Sequence, residues 1–403
     1  MKAFGCLALL LGALFGAPGC DHGGSPGNTL PVTVSTGTST LGYANGLFTS
    51  VTVCVPGTND CQTLDYVLVD TGSEGLRVLS SAAGGVLSLA LPQENDANGD
   101  PIAECNGFVD GFTWGPVRMA DIQMGGEEAR SVPIQVIGDP GFEKVPSACS
   151  STGSSEDTVQ TLNANAILGV GPFPQDCGQL CAEPIMAGEM SPYFTCPSSG
   201  CQLASVSVAS QVQNPVSMLP VDKNGVVIQL PALPAGGSPS ATGTLTFGIG
   251  TQSNNDIGTA TVLPIDPETL MFTTQYHGTK YPLSFIDSGS NALYVLDSKT
   301  LGVPVCSNTS PNASDFYCPS ATVSFTATNL GIGGASSTVS FSVADTDTLS
   351  ANDSAFDDLA GPSGTNPSNE YFDWGLPFFF GRTVFTSIEG ATAPGGPTPY
   401  FAY

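Results

Sequence analysis

An all-β protein built from two equivalent halves is what this sequence predicts, and three observations carry that prediction. Only 11% of its 403 residues are charged, and 49 glycines and 32 prolines interrupt it often, which disfavours long helices. Short runs rich in Val, Thr, Ser and Phe recur between turn residues, the mark of many brief strands. Finally, VLVDTGSEGLRVL at 67–79 is repeated as SFIDSGSNALYVL at 284–296, so the chain contains one unit twice.

The elements follow in chain order. Met1-Lys2, an apolar run from Ala3 to Phe15 and the small residues before Cys20 read as a signal peptide over 1–20, too short to span a bilayer as a helix. Ala17-Pro18-Gly19-Cys20 is similar to the lipobox of bacterial lipoproteins, which makes Cys20 the expected lipidation site. Residues 21–42 read as a flexible Gly/Ser/Thr/Pro tether, 43–250 as a first lobe with inter-lobe strands, and 251–403 as a second lobe. Strands are expected at 47–53, 66–69, 76–79, 117–119, 122–124, 132–137, 166–170, 245–247 and 262–265. Asn224-Gly225 between apolar stretches predicts a hairpin, and Ser205 to Val212 is the best helix candidate. Each Asp-containing repeat is followed at similar distance by an apolar run ending in Gly, AILGVG at 166–171 and LPFFFG at 376–381.

Twelve cysteines fit an exported chain. Beyond the leader, Cys54 with Cys61, Cys105 with Cys149, and Cys306 with Cys318 are the expected disulfides, and the remaining four can nest as Cys177 with Cys201 and Cys181 with Cys196. The C-x3-C and C-x4-C spacings lack nearby His, so no metal is expected there. A net charge of −26 with nine Lys and Arg excludes a nucleic-acid partner and leaves the lipidated end as the only membrane attachment.

The repeat carries the chemistry. An Asp at the end of a buried strand needs hydrogen bonds, and Asp-Thr-Gly-Ser supplies them in four residues. The Thr or Ser hydroxyl holds neighbouring backbone, Gly permits close approach, and the last Ser donates to the carboxylate. Two such cradles facing each other bring Asp70 and Asp287 together. Two unit charges about 3 Å apart repel by roughly 5 kcal/mol at an effective dielectric near 20, so the pair keeps one proton over a wide acidic range. One carboxylate then serves as general base and its partner as general acid around a single water, with no cofactor.

These residues resemble the pepsin-like aspartic peptidases over most of 43–390. MADIQMGG at 119–126 looks like the strand after that family's flap, and GTLTFGIGTQSNNDIGTATVLPI at 243–265 like its inter-lobe strand. WGLPFFFGRTVFTSIEG at 374–390 looks like its closing strand, with the three phenylalanines read as core. The resemblance implies two barrel-like lobes flanking a cleft, a dyad with split ionisations as is known for this family, catalytic Asp70 and Asp287, and a cradle of Thr71, Gly72, Ser73, Ser288, Gly289 and Ser290. It places the substrate-binding flap at Phe108 and Gly111. The expected activity is endopeptidase, on peptide or protein substrates, by a monomer outside the cytoplasm of a bacterial cell, lipid-anchored or secreted. The alternative is a pepsin-like module that binds without cleaving. Two positions depart from the family: Arg77 stands where Trp is usual, and Phe108 where a hydroxyl-bearing Tyr is usual.

The other candidates are weaker. His277 has no Gly-x-Ser-x-Gly partner for a Ser-His-Asp arrangement. QENDANGDP at 93–101 lacks full calcium-loop spacing and reads as a turn. Asp345, Asp347, Asp353, Asp357 and Asp358 read as a solvated acidic loop.

Overall fold

A computed structural model describes residues 27–38, 43–185, 191–307, 315–364 and 370–403. The leader, Cys20 and the first part of the expected tether lie outside the described residues. What is described is mostly strand, in one sheet of sixteen strands and one of seven, with only short helical turns. The all-β expectation therefore holds.

Each Asp motif is built the same way. In the first lobe Cys61–Asp70 runs parallel to Ala166–Val170, which pairs antiparallel with Glu74–Leu79. In the second, Thr279–Ile286 runs parallel to Phe372–Trp374, which pairs antiparallel with Leu293–Val295. Val67, Val69, Leu76 and Val78 face the core in one copy, Ile286, Leu293 and Val295 in the other. The carboxylate thus leaves the end of a strand whose neighbours are locked by apolar burial on both sides.

Several expectations need correction. Thr29–Ser35 is a strand and not part of a tether. Its low charge conceals a period of two, with Val32 and Val34 buried, and it bridges Gly46–Cys54 and Ala241–Phe247. Asn224-Gly225 does not turn a hairpin. The Asn224 amide donates to the carbonyls of Ile249 and Thr392, and Gly225 opens a strand, Gly225–Gln229, paired with Ala241–Phe247 and Thr383–Ser387. The helix candidate shrinks to a single 3-10 turn, Val208–Ser210. The phenylalanine run is core but not strand: Leu376–Phe379 is a buried 3-10 turn after Trp374. The second repeat's partner strand is therefore Phe372–Trp374, so Gly375, not Gly381, is the counterpart of Gly169.

The disulfides Cys54–Cys61, Cys105–Cys149 and Cys306–Cys318 form as expected. The middle four pair sequentially, Cys177–Cys181 and Cys196–Cys201, instead of nesting. The reason is local. A 3-10 turn at Gly178–Ala182 brings the first two Cα atoms within 5.7 Å, and a turn closed by the Gly200 N–H on the Pro197 carbonyl brings the second two within 3.9 Å. Peptide mapping of the unreduced protein is expected to recover Cys177 linked to Cys181; a fragment linking Cys177 to Cys201 would contradict this pairing.

Candidate active site

Two cradles with matching hydrogen bonds hold the two aspartates. The Gly72 N–H donates to Asp70 Oδ1 at 2.8 Å and the Ser73 hydroxyl to Oδ2 at 2.5 Å. In the other lobe the Gly289 N–H donates to Asp287 Oδ1 at 2.7 Å and the Ser290 hydroxyl to Oδ2 at 2.9 Å. Asp70 is buried; Asp287 shows some surface yet is closely surrounded by protein.

The middle residues lock the lobes to each other. The Thr71 N–H donates to Ser288 Oγ at 3.1 Å, and the Ser288 N–H to Thr71 Oγ1 at 2.9 Å. Each hydroxyl in turn donates across the boundary, Ser288 to the Val69 carbonyl at 2.8 Å and Thr71 to the Ile286 carbonyl at 3.3 Å. Thr71 and Ser288 are both almost fully buried, so this reciprocal set is shielded from water and fixes the separation of the two strand ends.

Glycine is what lets the carboxylates meet. A Cβ on Gly72 would lie 2.5 Å from Asp287 Cγ, and one on Gly289 2.5 Å from Asp70 Oδ1. Each glycine therefore faces the opposite aspartate. Gly289→Ala is expected to force the pair apart and to lower any dyad-dependent rate at least about a hundredfold, the scale set by a misplaced reacting group. The variant should still fold, since its φ is not in the left-handed region; a rate equal to the parent's would show that the close approach is unimportant.

The charges that act on Asp287 are acidic. Burial lifts the Asp287 carboxyl well above the usual range, reinforced by the charges of Asp70 and Asp373 and by the hydrogen bond shared with Asp70. Burial also pushes Glu74 up to about 8, with Asp70 adding to the effect; Glu74 Oε1 accepts from the Phe173 N–H at 3.2 Å. Asp373 is likewise pushed up to about 8 by burial, and its Oδ2 lies 2.7 Å from Ser290 Oγ. Sequence reading missed Glu74 and Asp373. The signal for Asp373 was the second Gly: aligning Trp374-Gly375 with Leu168-Gly169 puts Asp373 opposite Ile167, an acid where its counterpart is apolar.

Arg77, one of the two departures noted in the sequence, is fully buried. Its guanidinium reaches Glu104 Oε1 at 2.6 Å, Asp176 Oδ2 at 2.9 Å and the Glu74 carbonyl at 2.6 Å. The Tyr193 hydroxyl donates to Asp176 Oδ1 at 2.6 Å and accepts the Val212 N–H at 2.7 Å. This network pins the hairpin strand Ile102–Gly107, which carries Glu104, to the strand behind Asp70.

Phe108 sits half-buried at the tip of the hairpin formed by Ile102–Gly107 and Gly111–Met124, closed by its N–H on the Gly111 carbonyl at 2.7 Å. Tyr43 also senses the acids of the site: burial raises its phenol, and Asp110 in the hairpin tip, Asp287 and Asp70 raise it further. Asn45 holds this segment: its amide donates to the Asn291 and Phe356 carbonyls, at 2.8 and 2.9 Å, in the other lobe. A tyrosine from before the first Asp strand, and not from the hairpin, thus lies within electrostatic reach of the dyad.

The remaining candidates stay outside the site. His277 lies exposed in a hairpin turn and stacks on Tyr276. Asp96 Oδ1 caps the Asn98 and Asp100 N–H groups, so QENDANGDP is a self-satisfied turn.

The structure is similar to the crystal structure of an aspartic proteinase from Irpex lacteus, with a TM-score of 0.53 and 14% identity, covering 93% of this chain and 96% of that one. At that identity the likeness shows the fold alone, two-lobed and pepsin-like. No curated protein matches the sequence. A family model described as "Protein of unknown function (DUF3443)" matches residues 24–403, nearly the whole chain, and the protein belongs to that family.

Proposed function

We propose that this chain is an aspartic-type endopeptidase that hydrolyses peptide bonds with a water held between Asp70 and Asp287. The observation that carries the reading is the mutual approach of two cradled carboxylates, each facing the other lobe's glycine. The pair shares a proton, weighted toward Asp287 because that side carries the extra acid Asp373. The ionised member takes a proton from water as it attacks the scissile carbonyl, while the protonated member gives its hydrogen to the carbonyl oxygen. The resulting gem-diol is uncharged. On its collapse one hydroxyl proton passes to the ionised carboxylate while the proton held by the other carboxyl goes to the leaving amine; the second hydroxyl stays on the product acid, so the dyad again holds one proton. No covalent intermediate or bound group takes part.

The hairpin tip with Phe108 and Gly111 would cover a substrate strand. Peptides or proteins are the substrates, and lipidation at Cys20 would hold the enzyme outside the cytoplasm, at the bacterial envelope. Both cradles are complete, which favours hydrolysis over the non-cleaving alternative. The test is incubation with a peptide library between about pH 3 and 7, where a one-proton dyad is populated, alongside binding of a hydroxyl-containing mimic of the gem-diol. Cleavage that the mimic suppresses is expected. Neither cleavage nor mimic binding at any pH would overturn the proposal.

A further inference from the structure

Ser290 Oγ lies 2.9 Å from Asp287 Oδ2 and 2.7 Å from Asp373 Oδ2. A hydroxyl carries one hydrogen, so Ser290 donates to only one of these oxygens. The other contact is favourable only if a carboxyl supplies the proton; otherwise two lone pairs face each other. Asp373 is 5% exposed, and its Oδ1 is buried with no hydrogen-bond partner among the described residues. The charged and titratable groups that face it are Asp287 through Ser290, Asp70, Tyr294 and Tyr371. Among them is no Lys, Arg or His, so nothing there balances a negative charge.

The other lobe supplies the contrast. Arg77 pairs with Ile167 where Tyr294 pairs with Asp373, so the position matching Asp373 is apolar. Ser73 is correspondingly committed to Asp70 alone. The asymmetry between the two halves thus lies one hydrogen bond behind Asp287.

We propose that Asp70, Asp287 and Asp373, the last two bridged by Ser290, form a three-carboxylate unit that holds two protons from acid to near-neutral pH, with Asp373 as a positioning residue that delays loss of the dyad's proton as pH rises. While Asp373 is neutral it donates to Ser290, which is then free to donate to Asp287. Once Asp373 ionises, its charge acts on Asp287 and raises the pH at which the last shared proton leaves. This rests on the peptidase reading for its consequence in catalysis, but the protonation itself does not.

The experiment uses the full chain labelled at the aspartate carboxyl carbons and followed by NMR against pH, with signals assigned through Asp70→Asn, Asp287→Asn and Asp373→Asn. In the parent, two carboxyls beyond the ordinary aspartate range are expected, those of Asp287 and Asp373. Asparagine at 373 can still give Ser290 a hydrogen but cannot ionise. In Asp373→Asn the remaining raised titration, and with it the alkaline limb of kcat/KM, should fall by about one pH unit. A single raised carboxyl in the parent, or an Asp287 titration that does not move in the variant, overturns the proposal. Should Asp373→Asn fail to fold, the parent titration alone decides. Two raised carboxyls in a protein that cleaves nothing would sink the peptidase reading and leave this one standing; cleavage with only one raised carboxyl would do the reverse.

Discussion

Asp287→Asn is expected to lower kcat/KM for peptide hydrolysis by about a thousandfold or more, the upper part of the range for a positioned acid or base. The reason is specific to the cradle. Asparagine keeps the shape, and its side-chain oxygen still accepts the Gly289 N–H now bound at 2.7 Å. The Ser290 hydroxyl can then accept from the asparagine N–H and donate to Asp373 Oδ2, 2.7 Å away, so local structure survives. What is lost is the shared proton: one neutral amide and one carboxylate cannot both activate water and protonate a carbonyl oxygen. Asp70→Asn should behave alike, because Gly72 and Ser73 hold it in the same way. Initial rates across pH, with urea unfolding as a control for folding, check both. A variant that unfolds like the parent and still cleaves at a comparable rate would place the chemistry elsewhere.

Arg77→Met is expected to destabilise the fold by roughly 3–5 kcal/mol, measured as a lowered urea midpoint. Deleting Arg77 leaves Glu104 and Asp176 buried without their counter-charge, and the Asp176 carboxyl is already raised by burial and by Glu104. The loss comes from those stranded acids more than from the missing arginine. Arg77→Met combined with Glu104→Gln and Asp176→Asn should therefore recover much of the stability. A single variant within about 0.5 kcal/mol of the parent, the range of an ordinary surface change, would mean that the network is solvated in solution.

The dyad was legible in the sequence because its chemistry is local: Asp, hydroxyl, Gly and Ser act within four residues, and repetition made the pattern specific. The paired strands were legible wherever apolar residues alternated, as at 47–53 and 166–170. Features that depend on the partner lobe were not. Nothing in Thr29–Ser35 announces that it lies between Gly46–Cys54, which follows it closely, and the distant strand Ala241–Phe247. Asp373 looks like any acid until register sets it against Ile167. Arg77 read only as a departure from the usual Trp, when it lies buried with Glu104 and Asp176, whose sequence positions lie far from it. The four central cysteines misled for the opposite reason: symmetrical spacing invited a nested pattern, while tight local turns had already closed each pair.

The strand at Thr29–Ser35 also sets how far this protein can reach. Just before it, the Asn28 amide is fixed on the Phe247 carbonyl at 2.8 Å. Only seven residues, or eight residue steps, separate that anchor from Cys20. Even fully stretched, such a leash spans at most about 28 Å, less than the thickness of the bilayer hydrocarbon core. With a lipid on Cys20, the lobes would stand almost against the headgroups, and a strongly acidic body would face an acidic surface at close range. Its substrates would then be chains that come to the membrane, since the cleft could not travel out to meet them.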